Sequence, residues 1–304
     1  MIDIPDELAA AQCRHNGARG RAWIATLPRQ AAEYLQRWEL RRDGPTRHGM
    51  TALVLPVVRS DGTPAALKLQ PVDEETTGEA LALRTWGGAG AVRVLEHDPS
   101  TGTMLLERLD ADRPLSALPD DDTAVATLAD LLARLVTVPA PPELRRLGHI
   151  AAAMLDQVPA EAAALPDPDQ RRLLRTCASA VAEQLGEAGD RLLHWDLHYD
   201  NILAGHREPW LAIDPKPLAG DPGYELLPAL TNRWDDAVAT GNPARATLRR
   251  FDHLTSTLDI DRGRASGWTL GRVLENALWD IADGEHGIDP AQSLIATTLI
   301  QHRR

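Results

Sequence analysis

Cysteine is nearly absent. In 304 residues only Cys13 and Cys177 carry thiols, far apart and without CxxC or zinc-type spacing. This excludes a disulfide-stapled scaffold and suits a reducing, cytoplasmic setting. Phenylalanine occurs once, at Phe251, so a hydrophobic content of 43%, rich in Ala and Leu, implies a core made largely of packed helices. No apolar run reaches the ~18 residues a membrane helix needs. None of signal-peptide length follows the acidic start at Asp3, Asp6 and Glu7. Lysine is almost missing too: Lys68 and Lys216 are the only two among 32 basic residues. The net charge of −12 is uneven, with 13 Lys+Arg against 14 Asp+Glu in residues 1–108 and 19 against 30 in residues 109–304. An acidic second half argues against nucleic acid as a partner and favours a cationic ligand.

The length suits two lobes with ample core. Apolar residues at helical spacing predict a helix over 27–40, and a strand follows at 51–58, where Pro56 implies an edge position or a bulge. Asp61-Gly62 marks a hairpin into 65–69, and 76–86 reads as a helix closed by Gly87-Gly88. A second hairpin joins 92–95 to 103–107. Beyond it the pattern turns helical, at 122–138, 170–185, 267–283 and 290–302, interrupted by proline-rich 139–142 and 159–168. Strands followed by helices predict an α+β fold, divided at residue 108 into an N-lobe (1–108) with an antiparallel sheet and a helical C-lobe (109–304).

Chemistry concentrates in His194-Trp-Asp-Leu-His-Tyr-Asp-Asn201, with Asp214 thirteen residues further on. Phosphoryl transfer from a nucleoside triphosphate needs a carboxylate beside the attacking hydroxyl and oxygen ligands for Mg²⁺. Asp196 supplies the first; Asn201 and Asp214 supply the second. A purely structural reading makes Asp196 and Asn201 turn caps and Asp214 the start of a turn at Pro215. His194 and His198 beside Asp196 also raise a zinc site, but the third histidine at helical spacing is missing.

This stretch resembles the catalytic loop of the aminoglycoside phosphotransferase family, relatives of protein kinases, and within it the streptomycin 6-kinase and hydroxyurea phosphotransferase branch. Leu105–Leu109, Glu79–Gly88 and Ala212–Asp221 extend the similarity over residues 50–280. The resemblance implies a bilobal protein-kinase-like fold and an ATP-dependent kinase (GTP the alternative nucleotide) using Mg²⁺, acting on a hydroxyl of a small cationic acceptor such as streptomycin. A hydroxyurea or metabolite kinase and a nucleotide-binding pseudokinase are the rival readings. In this reading Asp196 is catalytic. His194 is a packing residue of the loop. Lys68 binds the α- and β-phosphates, held by Glu79, with Glu75 the competing partner. The backbone near Glu107–Leu109 meets the adenine. Lys216 approaches the γ-phosphate or pairs with Asp221.

The phosphate loop departs from the kinase pattern. Neither G-x-G-x-x-G nor a Walker motif is present, and only Gly44 and Gly49 fall in 43–51, leaving His48 and Gly49 as the candidates to face phosphate. DFG, HRD and APE triplets are absent, against a protein kinase. For the acceptor, Trp268, Arg272, Glu275, Trp279 and Asp283 share one helical side. Indole and carboxylate together suit a cationic ring, whereas a plain packing helix would simply bury its tryptophans. His198, Glu225, Asp235 and Asp236 are further candidates. A monomer or homodimer without a membrane or nucleic-acid partner completes the expectation.

Overall fold

Leu53–Val58 and Pro64–Leu69, apolar and largely buried, pair as antiparallel strands. The computed structural model describes residues 2–303 and divides into two units. The first runs to Asp112 and includes Ala204–Pro209. Its sheet contains β1 (Arg41–Arg42), β2 (Arg47–His48), β3 (Leu53–Val58), β4 (Pro64–Leu69), β5 (Val94–Asp98) and β6 (Thr103–Glu107). All pairings are antiparallel in the order β1-β3-β4-β6-β5, and β2 shares the outer edge of β3 with β1.

Pro56 lies inside a strand paired on both sides. In an extended strand a residue's N–H and C=O face the same neighbour. The Pro56 carbonyl accepts from Asp43 at 2.9 Å, so its missing N–H falls in the gap between β1 and β2, where no ladder bond is lost.

Helix α1 (Asp6–Arg37) starts far earlier than the expected residue 27 and stops before 40, where the Leu40 N–H turns back to Leu35. Gly17 breaks it with φ 51° and ψ −125°. The two arms approach so closely that a Cβ on Gly20 would overlap the Gln12 carbonyl oxygen. Leu27, Ala31 and Tyr34 pack on Leu53, Leu55 and Leu67 of the sheet. Helix α2 (Glu79–Trp86) follows β4. Within this unit Arg207 donates to Glu107 at 2.8–3.2 Å and to the carbonyls of Gly88 and Ala91.

The chain enters the second unit through β7 (Asp110–Pro114). This unit holds α3 (Asp121–Leu135), β8 (Arg145–Arg146), α4 (Leu147–Ala164), α5 (Pro168–Gln184), β9 (Arg191–Leu193), β10 (Ile202–Ala204), β11 (Trp210–Ala212) and β12 (Leu218–Gly220). It ends with α6 (Leu226–Thr231), α7 (Trp234–Ala239), α8 (Pro243–Leu258), α9 (Arg262–Ala282) and α10 (Pro290–Gln301). β10 and β11 pair, and β12 lies between β8 and β9. α5 packs on α4 and α9, and α3 on α8.

α4 and α8 depart from the expected helix pattern. α4 runs through Pro159 to Ala164 instead of breaking at 159; a proline removes one i→i−4 bond, and near a helix end that loss does not stop the helix. α8 went unread although Asn242 caps it and Pro243 opens it. Among the described residues no helix is long and apolar enough to cross a membrane.

Gly20→Ala is expected to lower the melting temperature by several degrees, the overpacking cost being about 1–3 kcal/mol. Gly49→Ala, whose Cβ would meet nothing within 4 Å, should leave it unchanged. Thermal unfolding followed by circular dichroism compares the two.

Candidate active site

In the first unit a buried lysine on the sheet must find an anion, because an unpaired ammonium in apolar surroundings is costly. Lys68 on β4 donates to both carboxylate oxygens of Glu79, at 2.6 and 2.8 Å, and both side chains are buried. Gln70 donates to the same carboxylate at 2.6 Å. Glu79, the first residue of α2, is therefore the partner. His48 ends β2, its ring against Glu7 at 3.1 Å, and Gly49 begins the turn into β3, its N–H bonded to the Ala52 carbonyl at 3.0 Å. The segment expected to face phosphate is thus a hairpin turn. Glu107 uses its N–H on Arg93 at 3.0 Å and its carboxylate on Arg207; Leu109 is buried.

In the second unit main-chain bonds gather the loop. The Asn201 side-chain N–H₂ donates to the Asp196 carbonyl at 2.8 Å, and the Asn201 carbonyl accepts from Ile213, next to Asp214, at 2.9 Å. The Lys216 N–H reaches the His194 carbonyl at 3.0 Å, and its Nζ lies 3.6 Å from Asp196 Oδ2. Asp196, Asn201 and Lys216 are therefore knit together, and Asp214 lies between Ile213 and Lys216, both bonded into the loop. Lys216 approaches Asp196 rather than Asp221, whose carboxylate binds Arg264. With the Asn201 amide nitrogen engaged, its Oδ1 is the atom left to act as an oxygen ligand, as Mg²⁺ prefers, and Asp214 adds a carboxylate.

His194 is fully buried. Its Nδ1 accepts from the Asp196 N–H at 3.3 Å, which assigns Nε2–H as donor to the Ile213 carbonyl at 2.9 Å. Nε2 carries the proton and the Nδ1 lone pair accepts from Asp196, so the ring has no lone pair left for zinc. Burial, against the pull of Asp196, lowers its pKa to about 4. The His198 backbone closes the turn between Asp196 and Asn201.

Two of the five non-glycine residues that hold a left-handed backbone lie in this loop: Trp195 at φ 68° and Asp214 at φ 58°. Such conformations cost about 1–3 kcal/mol and need support. For Trp195 the support is visible. Its N–H donates to Glu225 Oε1 at 2.9 Å, and the guanidiniums of Arg272 and Arg145 lie 4.4 and 4.9 Å from its ring centroid. Glu225 is fully buried; desolvation, against the backbone N–H groups of Trp195 and His194, raises its pKa to about 7.

The expected acceptor stripe does not run along one exposed face. Trp268, Arg272 and Glu275 are buried, and Glu275 takes hydrogen bonds from Tyr224 at 2.8 Å and Arg272 at 2.9 Å. Trp279 (44% exposed) and Asp283 surface at the C-terminal end of α9. Trp279 meets Trp195 edge-on at 5.7 Å. Asp235 and Asp236 are exposed on α7, and the segment just before α7 is tied to the loop by Asn232, which accepts from the Tyr199 N–H at 3.1 Å. Arg145 and the chain Tyr199–Asp121–Arg250, in which Asp121 meets Tyr199 at 3.2 Å and Arg250 at 2.9 Å, were not among the expected site residues. These pairings span up to 129 residues and leave no local signal.

The description "aminoglycoside/hydroxyurea antibiotic resistance kinase" fits residues 37–284. Over 302 residues the chain is 59% identical to a streptomycin 6-kinase of Streptomyces glaucescens, covering 99% of this chain and 98% of the relative. It is 56% identical to a hydroxyurea phosphotransferase of Kitasatospora aureofaciens, covering 99% and 86%. A crystal structure of an aminoglycoside phosphotransferase with ADP and hygromycin B superposes with a TM-score of 0.60 at 15% identity, covering 88% of this chain and 97% of that one. The fold is therefore kinase-like.

Glu225 and His194 pull stability in opposite directions. A carboxyl whose pKa rises on folding, here from 4.5 to about 7, gives stability that is lost as pH rises through that window. A histidine whose pKa falls, from 6.5 to about 4, gives stability that returns as pH rises from 4 to 6.5. Each slope is at most about 1.4 kcal/mol per pH unit, so between pH 4.5 and 6.5 they offset. Glu225→Gln should make stability climb more steeply with pH across that range, read as melting temperature at each pH; an unchanged slope would contradict the buried ionisable pair.

Proposed function

The chain belongs to the aminoglycoside/hydroxyurea antibiotic resistance kinases, and from that premise we propose that it transfers the γ-phosphoryl group of ATP to a hydroxyl of streptomycin, spoiling the drug for its target. The observation that carries the mechanism is the hydrogen-bonded loop that joins Asp196 to Asn201 and ties in Ile213 and Lys216 on either side of Asp214. Asp196 orients the acceptor hydroxyl and takes its proton as the oxygen bonds to phosphorus and the bond to the leaving ADP oxygen breaks. Positioning matters more than base strength, because the transition state is largely dissociative. Asn201 and Asp214 would hold Mg²⁺, which neutralises charge on the phosphate oxygens. Lys216 adds positive charge beside Asp196.

Lys68, aimed by Glu79, binds the α- and β-phosphates; the His48–Gly49 turn covers them, and the main chain at Glu107–Leu109 meets adenine. For the cationic acceptor, exposed Asp235 and Asp236 with the Trp279 indole are the available contacts, joined by Asp283 and His198. Glu225 and Glu275 act through the loop they support. Hydroxyurea is the second reading, favoured by the 56% identity to a hydroxyurea phosphotransferase.

Asp196→Ala should cut turnover at least ~100-fold while ATP still binds, measured by product mass and nucleotide titration. Retained phosphorylation would reject the mechanism. Asp235→Asn with Asp236→Asn should raise KM for streptomycin by up to about thirtyfold with kcat nearly unchanged, two exposed charge pairs being worth up to about 1 kcal/mol each. Phosphorylation of hydroxyurea in preference to streptomycin by the wild type would establish the second reading.

A further inference from the structure

The kinked α1 and the chain following β4 line an open cavity of about 430 Å³ within the first unit, the size of a small-molecule site. Its walls carry the carboxamides of Gln12, Asn16, Gln30 and Gln70 and the Trp23 indole. The amide nitrogens already donate inside the protein. Gln12 donates to the Thr51 carbonyl at 3.2 Å, Asn16 to Gln12 Oε1 at 2.9 Å, Gln30 to Thr103 at 3.1 Å and Gln70 to Glu79 at 2.6 Å. Each of these amides uses one N–H in this way, so Asn16 and Gln30 keep a second N–H and a carbonyl oxygen toward a ligand. Gln70 Oε1 is buried behind them with no hydrogen-bond partner among the described residues. The charged side chains of the lining, Arg19 and Arg29 against Glu33 and Asp73, balance.

We propose that this cavity is a second small-molecule site, for a neutral polyhydroxylated ring such as a hexose or an inositol, and that its occupant tunes nucleotide use. Ring hydroxyls donate and accept at once and so match the N–H and oxygen that each carboxamide leaves, the C–H face of the ring packs on indole, and the balanced walls give no advantage to a charged ligand. Two of the four carboxamides lead out of the cavity. Gln12 holds the carbonyl of Thr51, in the turn that starts at Gly49, and Gln70 holds Glu79, the partner of Lys68. An occupant that steadies these side chains steadies both phosphate-handling parts. The coupling rests on the roles proposed above for Lys68 and His48–Gly49, whereas the binding does not.

The test is isothermal titration of the full chain with myo-inositol and with D-glucose, glycerol serving as the control without a ring. The expected result is saturable binding of at least one ring compound with a Kd of roughly millimolar or tighter. Asn16→Ala and Gln30→Ala should weaken it about tenfold, while far-ultraviolet circular dichroism and ring-free kinase activity stay at wild-type levels. At saturation KM for ATP should fall at least about fivefold, the lower end of ordinary coupling, with product masses showing whether the ring compound is itself phosphorylated. No saturable heat from either ring up to ~50 mM, or binding indifferent to both substitutions, overturns the site. Binding with KM for ATP unmoved overturns the coupling. A chain that binds the ring yet phosphorylates nothing would refute the kinase reading and leave the site standing.

Discussion

The second unit depends on one buried carboxylate. Glu225 accepts the Trp195 N–H and so holds a bulky residue in the left-handed region, where an aromatic side chain would not settle unaided. Reversal of the chain at Trp195 lets Asp196 follow with its carboxylate only partly covered while His194, one residue earlier, is sealed in the core. The arginines on the Trp195 ring and the Tyr224–Glu275–Arg272 cluster brace the same point from the side chain. Buried polar groups of this kind add little net stability, but they select one loop conformation.

The Lys68–Glu79 pair follows the same logic in the first unit. Taking both charges out of water costs about as much as their attraction returns, so the pair is best understood as aiming an ammonium. Gln70 adds a donor to Glu79 and narrows its freedom further. Both units thus invest buried charge in orientation, and both do so beside residues proposed to handle phosphate.

What was legible in the sequence was local. The interval from Asp196 to Asn201 and Asp214, the Asp61-Gly62 turn and the Gly87-Gly88 stop of α2 all write their geometry within about twenty residues. Glu79 could be preferred to Glu75 because it shares a helical face with Leu83 and Trp86. The rest was not local. Nothing around Arg145 shows that it stacks on Trp195, and nothing around Asp121 announces Arg250. The acidic-aromatic stripe of α9 was real as a pattern but silent about depth: the same spacing carries it from the core at Trp268 to the surface at Trp279. Gly17 and Gly20 fold α1 back on itself through a close approach that only coordinates reveal.

The chain's preference for arginine has a practical consequence. Apart from the N-terminus, amine-directed reagents meet just two primary amines, and they differ in reach. Lys216 has 34% of its side chain exposed beside Asp196, whereas Lys68 has 6% and is clasped by Glu79. Acylation followed by peptide mapping therefore distinguishes a superficial ammonium from a sequestered one at two defined points, with no competing background from a lysine-rich surface.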